Sequence, residues 1–329
     1  MEKLKVGMVG FGGLAHVHAS ALAIFEDVQV TCICDIDPKK FEAKNDDINF
    51  EMKKEELNLK EINCYEKFEE MLGKEEIDIL VSALPTDIHA DYAVMALNKG
   101  INVFSEKPMA ISVEACQKMI DAKNISGKEL MIGQCVRFWP EYEFLKSIIE
   151  NGRYGKLWSV IMQRCGCYPR NKWFLDGKRS GGALLDLHVH DVDWVNYVFG
   201  PNPDFMSAVG SVGLTGRVDD INSIYKYGNT IVTVRGSWMQ HVPFHCNWIA
   251  NFESASMEYR GEWEEIRITD KDSSIKETVK ISKPNAYNAE MRYFIDTVKG
   301  LHKNEKCTPE STLESIKMAL KEEALVFGK

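Results

Sequence analysis

The chain has 329 residues, 45% of them apolar and 27% charged, proportions of an ordinary globular protein with length enough for two domains. The net charge is −9 at pH 7, and Lys and Arg are scattered among acids, which argues against a nucleic-acid or anionic-membrane partner. No apolar run reaches a membrane span, the start MEKLKVGMVGFGG enters an apparent strand at once and leaves no room for a signal peptide, and the nine cysteines include no CxxC, so a cytoplasmic chain with reduced thiols is expected.

Short β-rich runs at 3–9, 28–35, 77–83 and 101–106 alternate with helix-length segments at 13–26, 66–73, 86–99 and 112–124. Nearly all-apolar strands spaced by amphipathic helices predict a doubly wound parallel sheet covered on both faces. The polar stretch 44–61 reads as an insertion, and ELMIGQCVRF (129–138) as the last strand or the crossing to a second domain. The pattern then changes. A helix, PEYEFLKSIIENGRYG, and a strand, KLWSVIMQRCGCY, lead to the polar segment SGGALLDLHVHDVDW at 180–194. Two-residue alternation follows, with Gly228-Asn229 and Gly261-Glu262 at the positions of hairpin turns. Successive hairpins predict an α+β half with a large, open, mainly antiparallel sheet, closed by helices at roughly 286–300 and 309–327. The expected domains are 1–123, binding a dinucleotide, and 124–329, binding substrate and forming the oligomer.

VGMVGFGGLAHVHASAL sets Gly10-x-Gly12-x-x-Ala15 between a strand and a helix. Glycine permits the tight turn and a close approach to a pyrophosphate, which the helix N-terminus then meets with unpaired N–H groups. Phe11 and Leu14 belong to the same turn. Asp35, at the end of the second strand, suits the two ribose hydroxyls and repels a 2′-phosphate, so NAD is expected over NADP. Asp37 reads as the cap of a helix beginning at Pro38. Ala83, Pro85 and Thr86 lie where such a sheet exposes its strand ends to ligand, although Thr86 serves equally as a helix N-cap. His89, one turn later, is a cofactor contact or a satisfied surface histidine. Glu106-Lys107-Pro108 leaves the fifth strand where an ammonium would reach the nicotinamide end of a cleft; an exposed salt-bridged pair is the plain alternative.

Taken in order, GxGxx[GA] with His18 downstream, the PTxxH-type segment, Glu-Lys-Pro and GGAxLDxxxHDxD resemble the Gfo/Idh/MocA family over essentially the whole chain. This is the glucose-fructose oxidoreductase and inositol dehydrogenase group of NAD(P)-dependent sugar and polyol dehydrogenases. The resemblance implies a Rossmann domain and an α/β domain whose open sheet often forms the oligomer interface, hence a homodimer or homotetramer. Two departures stand out: Ala15 replaces a glycine, and His188 stands where many members have glycine.

Within 180–194, Val192, Val195, Val198 and Phe199 recur at helical spacing and Gly200-Pro201 stops the run, so a helix opens near Ser180. On an α-helix Asp186 and His190 lie roughly 40° apart, while His188 points about 200° away from Asp186. Asp186 and His190 therefore form the pair. Asp186, His190 and Asp193 are ligand types for a divalent ion, but nothing supplies a fourth group and no metal is expected. Next to a nicotinamide site the cluster suits proton transfer, with a polar helix face as the alternative. His190 is the natural general base. Asp186 orients, and Lys107 holds the hydroxyl oxygen against its developing charge. The resemblance assigns the same three roles. Arg137 is read as meeting substrate or pairing with an acid. Arg164, Trp173, His241 and Tyr287 are substrate candidates from the second domain, each with a core or surface alternative. Two rival functions stay open: an NAD-dependent glycoside-cleaving enzyme with transient oxidation, and a non-enzymatic NAD(H)-binding redox sensor.

Overall fold

A computed structural model describes residues 3–41, 57–281 and 285–328. Two compact units emerge, Met1–Gln134 with Tyr287–Leu313, and Cys135–Ala286 with Glu314–Lys329. The first unit carries the alternating pattern: β1 (Leu4–Val9), α1 (Gly13–Ala23), β2 (Val28–Cys34), β3 (Asn63–Tyr65), α2 (Phe68–Lys74), β4 (Ile79–Ser82), α3 (His89–Asn98), β5 (Asn102–Glu106), α4 (Val113–Ser126) and β6 (Leu130–Gly133). The sheet order is β3-β2-β1-β4-β5-β6, with every pairing parallel. Strands β4 and β6 are buried along their whole length, as helices on both faces require. The order reverses between β1 and β4, and such a switch point opens a crevice at the carboxyl ends of the strands.

Differences from expectation are local. The predicted strand 129–138 is a strand only to Gly133 and becomes a 3-10 turn over Cys135–Phe138. Edge strand β3 was not anticipated. Residues 44–56 of the expected insertion lie outside the described residues; its end forms a 3-10 turn, Leu59–Glu61. The first compact unit runs on to Gln134 rather than ending near 123, because α4 and β6 complete its sheet and face.

The second unit contains α5 (Pro140–Asn151), β7 (Leu157–Cys165), α6 (Gly177–Ser180), a π-helical turn (Leu184–His188), α7 (Val189–Phe199) and β8 (Phe205–Val212). There follow β9 (Val218–Tyr227), β10 (Thr230–Ser237), β11 (His245–Phe252), β12 (Ala255–Arg260), β13 (Glu265–Asp270) and β14 (Ile275–Lys280). Their order is β14-β13-β12-β11-β7-β10-β9-β8, antiparallel except where β10 runs beside β7. Hairpins turn at Gly228-Asn229 and after Arg260, as the sequence indicates. Alternate residues Val160, Met162, Val232, Val234, Trp248 and Ala250 are buried, whereas Ile161, Ile231 and Ile249 between them are exposed. One face of the sheet is therefore core and the other is open.

Two helices end the chain. α8 (Ala286–Val298) belongs almost wholly to the first unit, with Phe294 against Phe104 and Arg292 paired to Asp27 at 2.8 Å. α9 (Pro309–Val326) finishes in the second, where Glu323 takes the Arg217 fork at 2.5 and 2.6 Å. Among the described residues no helix is long and apolar enough to cross a membrane.

Candidate active site

The turn after β1 is shaped by its neighbours. Gly10 has φ +77°, and a Cβ there would stand 2.6 Å from the carbonyl oxygen of Ala83, so only glycine fits. Gly12 N-caps α1 without any side-chain hydrogen bond, no acid occupies the first helical turn, and among the described residues nothing lies within 4 Å of a Cβ built on it. Uncapped N–H groups beneath an open cradle fit a pyrophosphate. The Asp35 carboxylate closes the far side, accepting the N–H of Phe11 at 2.7 Å and that of Asp37 at 2.9 Å. Asp37 caps its own 3-10 turn through the N–H of Lys39, as its plainer reading requires.

Several expected cofactor contacts face inward. Phe11 is buried with its ring 4.3 Å from that of His16, so its contribution to the turn is packing. Leu14 and Pro85 are half-buried, and Thr86 is buried in a 3-10 turn. His89 is satisfied, but in the interior and not at the surface as expected: Nδ1 faces the carbonyl of Pro108 at 2.8 Å and Nε2 that of Leu84 at 2.7 Å, so both ring nitrogens are engaged by backbone. Burial holds its pKa below the ordinary value, against the pull of the two carbonyls. Glu106 also turns inward. One oxygen meets His18 Nε2 at 2.6 Å and the other accepts the Lys107 N–H at 3.0 Å. Lys107 itself is half-buried.

Behind Glu106 lies a buried carboxyl that sequence reasoning missed. Ligand-type atoms of His18, Glu106 and Glu290 all fall within 4.8 Å of one another. The 2.6 Å contact between His18 and Glu106 is a hydrogen bond with no room for an ion between the two atoms. Burial, and then the Glu106 charge, push the Glu290 carboxyl well above the usual carboxylate range. Its only sequence signal was a single acid on the apolar side of α8.

In the second unit the segment 180–194 is helical as expected, but wound more widely at its start. The N–H of Val189 reaches the carbonyl of Leu184, an i→i+5 bond. The π-turn ends at His188, so two of the four steps from 186 to 190 advance by roughly 80° instead of ~100°, which takes the pair from ~40° apart to nearly in line on ideal geometry. Gly182 enters this turn at φ +69°, and a Cβ there would sit 2.9 Å from Arg217 Cβ and 3.0 Å from the Val218 carbonyl.

The five polar residues of the segment are sorted by their partners. Asp193 holds Arg137 through two hydrogen bonds of 2.6 and 2.7 Å and accepts Ser315 Oγ at 2.7 Å. Asp191 holds the Arg164 fork at 2.9 and 3.1 Å, and Arg164 also donates to the Tyr142 hydroxyl at 3.1 Å. His188 is buried against Glu322 at 3.1 Å. Only Asp186 and His190 are half-buried rather than enclosed. Of the readings open for Arg137, the structure shows the pair with an acid. Arg164 is likewise corrected to a buried partner of Asp191, since a guanidinium with both faces of its fork on one carboxylate is committed to it. Asp193 does not share an exposed face with Asp186 and His190, so the three do not assemble a metal site.

Trp173 is half-buried and stacks on Phe174 at 3.9 Å, which meets Trp238 edge-on beside Ala183 and Leu187. The aromatic patch thus abuts the π-turn. His241 is exposed on the loop before β11. Tyr287 falls in the first unit, not the second, with its ring 5.9 Å from that of His18.

A doubly wound sheet with an uncapped glycine turn, in one chain with an open antiparallel sheet, fits a dinucleotide-binding unit joined to a second α/β unit. The family models agree. Residues 4–134 match the oxidoreductase family, NAD-binding Rossmann fold, and residues 142–258 match the GFO/IDH/MocA C-terminal domain. The chain belongs to the Gfo/Idh/MocA family and carries its NAD-binding Rossmann domain. It is similar to inositol 2-dehydrogenase of Salmonella typhimurium, 32% identical over 61% of this chain and 56% of that protein. It is also similar to glucose-6-phosphate 3-dehydrogenase of Bacillus subtilis, 30% identical over 59% and 53%. The matched stretches span about half the length of these curated relatives. Among solved structures, UDP-N-acetylglucosamine 3-dehydrogenase GnnA from Acidithiobacillus ferrooxidans has a TM-score of 0.81 at 18% identity, covering 100% of this chain and 99% of that one. Myo-inositol 2-dehydrogenase from Lactobacillus plantarum has a TM-score of 0.79 at 20% identity, covering 100% and 98%. At those identities the likeness is one of fold.

Proposed function

We propose that this protein is an NAD-dependent dehydrogenase acting on the CH–OH group of a sugar, inositol or related polyol. NAD, when bound, accepts a hydride from that carbon. The chain's own task is to manage the hydroxyl proton and hold the substrate. His190 takes the proton as general base. Asp186, in line with it one turn earlier, orients the imidazole or the substrate. The Lys107 ammonium holds the hydroxyl oxygen as charge develops there. The observation that carries this reading is the sorting of the polar segment: three of its five ionisable groups have buried partners, and the remaining carboxylate and imidazole are the half-buried ones. The relatives' names, dehydrogenases of inositol and of a sugar phosphate, support the substrate class.

The Asp35 carboxylate at the end of β2 supports NAD over NADP. The open face of the second sheet, with Phe205, Val209, Ile161, Ile231 and Ile249 exposed, supports a homodimer or homotetramer. We read its compartment as the cytoplasm.

A screen of inositols, aldoses and other polyols with NAD and with NADP, followed at the absorbance of the reduced nicotinamide, tests the function. His190→Ala should lower kcat on the best substrate roughly 10²–10⁴-fold while NAD still binds. Wild-type turnover in that variant overturns the assignment of the base.

A further inference from the structure

His188, like Asp191 and Asp193, is an ionisable group of the segment to which the proposed chemistry gives no task, and it is wholly enclosed. Its Nε2 lies 3.1 Å from Glu322 Oε2 and 3.5 Å from Ser223 Oγ. The other Glu322 oxygen accepts a hydrogen bond from the Tyr225 hydroxyl. Glu322 comes from α9, and Ser223 and Tyr225 from β9, so the imidazole is enclosed by a helix and a strand, in close approach to Glu322 without a hydrogen bond to it. The neighbouring strand β10 makes room for it at Gly236, where a Cβ would stand 2.7 Å from His188 Cβ and 2.8 Å from its Nδ1. His188, Glu322 and Tyr225 are all fully buried.

A buried polar network of this kind is poor value as cement. Taking an imidazole and a carboxyl group out of water carries a desolvation cost, and apolar residues of equal volume often hold a core as well. What the directional Tyr225–Glu322 hydrogen bond adds is a single placement of the carboxylate packed against His188. The arrangement in question is unusual, because His188 is the last residue of the π-turn, and π-turns are rare winding that recurs at functional sites. If the turn relaxed to α, Asp186 would swing roughly 40° away from His190.

We propose that His188, Glu322 and Tyr225 form a positioning clamp that holds the π-turn, and so keeps Asp186 in line with His190. The clamp touches neither substrate nor cofactor. It acts through the pair, and it therefore rests on the reading of His190 as the base.

The test is a double-mutant cycle on the best substrate of the screen, with NAD. Glu322→Ala should lower kcat roughly 10- to 100-fold, the scale of a misplaced catalytic group, with KM for NAD and for the polyol within about twofold. Glu322→Gln, which keeps an acceptor for Tyr225 and the side-chain shape, should restore most of kcat. Asp186→Asn should cost turnover in the wild-type background and much less in the Glu322→Ala background, because the pair is already out of line there. Tyr225→Phe, the loss of one hydroxyl, supplies the same cycle where Glu322→Ala folds poorly. Costs that simply add overturn the clamp, as does unchanged kcat in folded Glu322→Ala and Tyr225→Phe chains. An active His190→Ala chain, or a screen without turnover, removes the underlying reading and the clamp with it. A silent clamp beside an inactive His190→Ala chain overturns the clamp alone.

Discussion

Replacing Arg137 by alanine removes one partner from an ion pair that is closed on both sides. Arg137 is 1% exposed and Asp193 0%. The guanidinium gives two hydrogen bonds of 2.6 and 2.7 Å and lies 4.7 Å from the centre of the Tyr197 ring. Alanine leaves the Asp193 carboxylate enclosed without its countercharge, and it empties the volume of a long stem. Breaking a buried pair from one side costs about 3–5 kcal/mol. For a unit of this size roughly 2–4 °C is lost per kcal/mol, so Tm should fall by on the order of 10 °C. Arg137→Met combined with Asp193→Leu removes both charges and should recover most of the loss, since two apolar residues need no partner. Thermal unfolding by circular dichroism measures all three chains, and initial rates below the unfolding range give KM and kcat. A substrate-binding arginine behaves in the opposite way, with KM raised and Tm unmoved. An Arg137→Ala chain whose Tm stays within about 2 °C of wild type while its polyol KM rises would refute the assignment to structure.

Gly10→Ala combines a left-handed backbone with a 2.6 Å clash on the Ala83 carbonyl. Strain of roughly 1–3 kcal/mol and at least about a tenfold weaker NAD affinity by calorimetry should follow, and unchanged affinity would remove this turn from the cofactor site. Glu290 gives a pH dependence with a definite sign. Its folded pKa stands well above the unfolded value of 4.5, so the folded chain holds the proton more tightly. The stability it contributes is full below pH 4.5 and is lost as pH rises through the folded value. Glu290→Gln keeps the shape and has no proton to lose. It should flatten the decline in urea midpoint above pH 4.5, whereas parallel declines would mean that the carboxyl is already ionised there.

The alternating half was legible because β4 and β6 are buried throughout, and strands apolar on both faces leave a continuous signal. Edge strand β3 left none: it has three residues, two of them exposed. The over-long reading of 129–138 has a related cause. Cys135, Val136 and Phe138 are buried in a 3-10 turn, so the apolar run outlasts the strand, and periodicity cannot separate the two. In 180–194 the helical angle already set Asp186 and His190 together and His188 apart. The π-turn was invisible, because one wider turn changes no residue type. The partners of Asp191, Asp193 and His188 were equally hidden. A carboxylate carries no mark of which distant cation it will meet, and Glu322 reaches His188 only because α9 returns to the second unit. His89 was read outward from a helix's first turn, as a cofactor contact or a surface histidine, and Glu106 outward from a strand end, and both turn inward to backbone carbonyls or to His18.

The three buried pairs have more in common than their burial. Around the α7 axis, His188, Asp191 and Asp193 point in different directions, Asp191 and Asp193 about 160° apart. Their partners come from different elements: Glu322 from α9, Arg164 from β7, and Arg137 from the turn before α5. A helix seated on apolar contacts alone can slide or rotate by small amounts at little cost, because dispersion is nearly indifferent to direction. A two-pronged guanidinium–carboxylate contact is not indifferent, since both bonds lengthen when the helix turns. Anchored on more than one side, α7 keeps a fixed rotation, and the direction of His190 is fixed with it. The acids that make this segment look like a metal or acid cluster in sequence are thus the fasteners of the helix, and the chemistry falls to the two groups they leave at its half-buried edge.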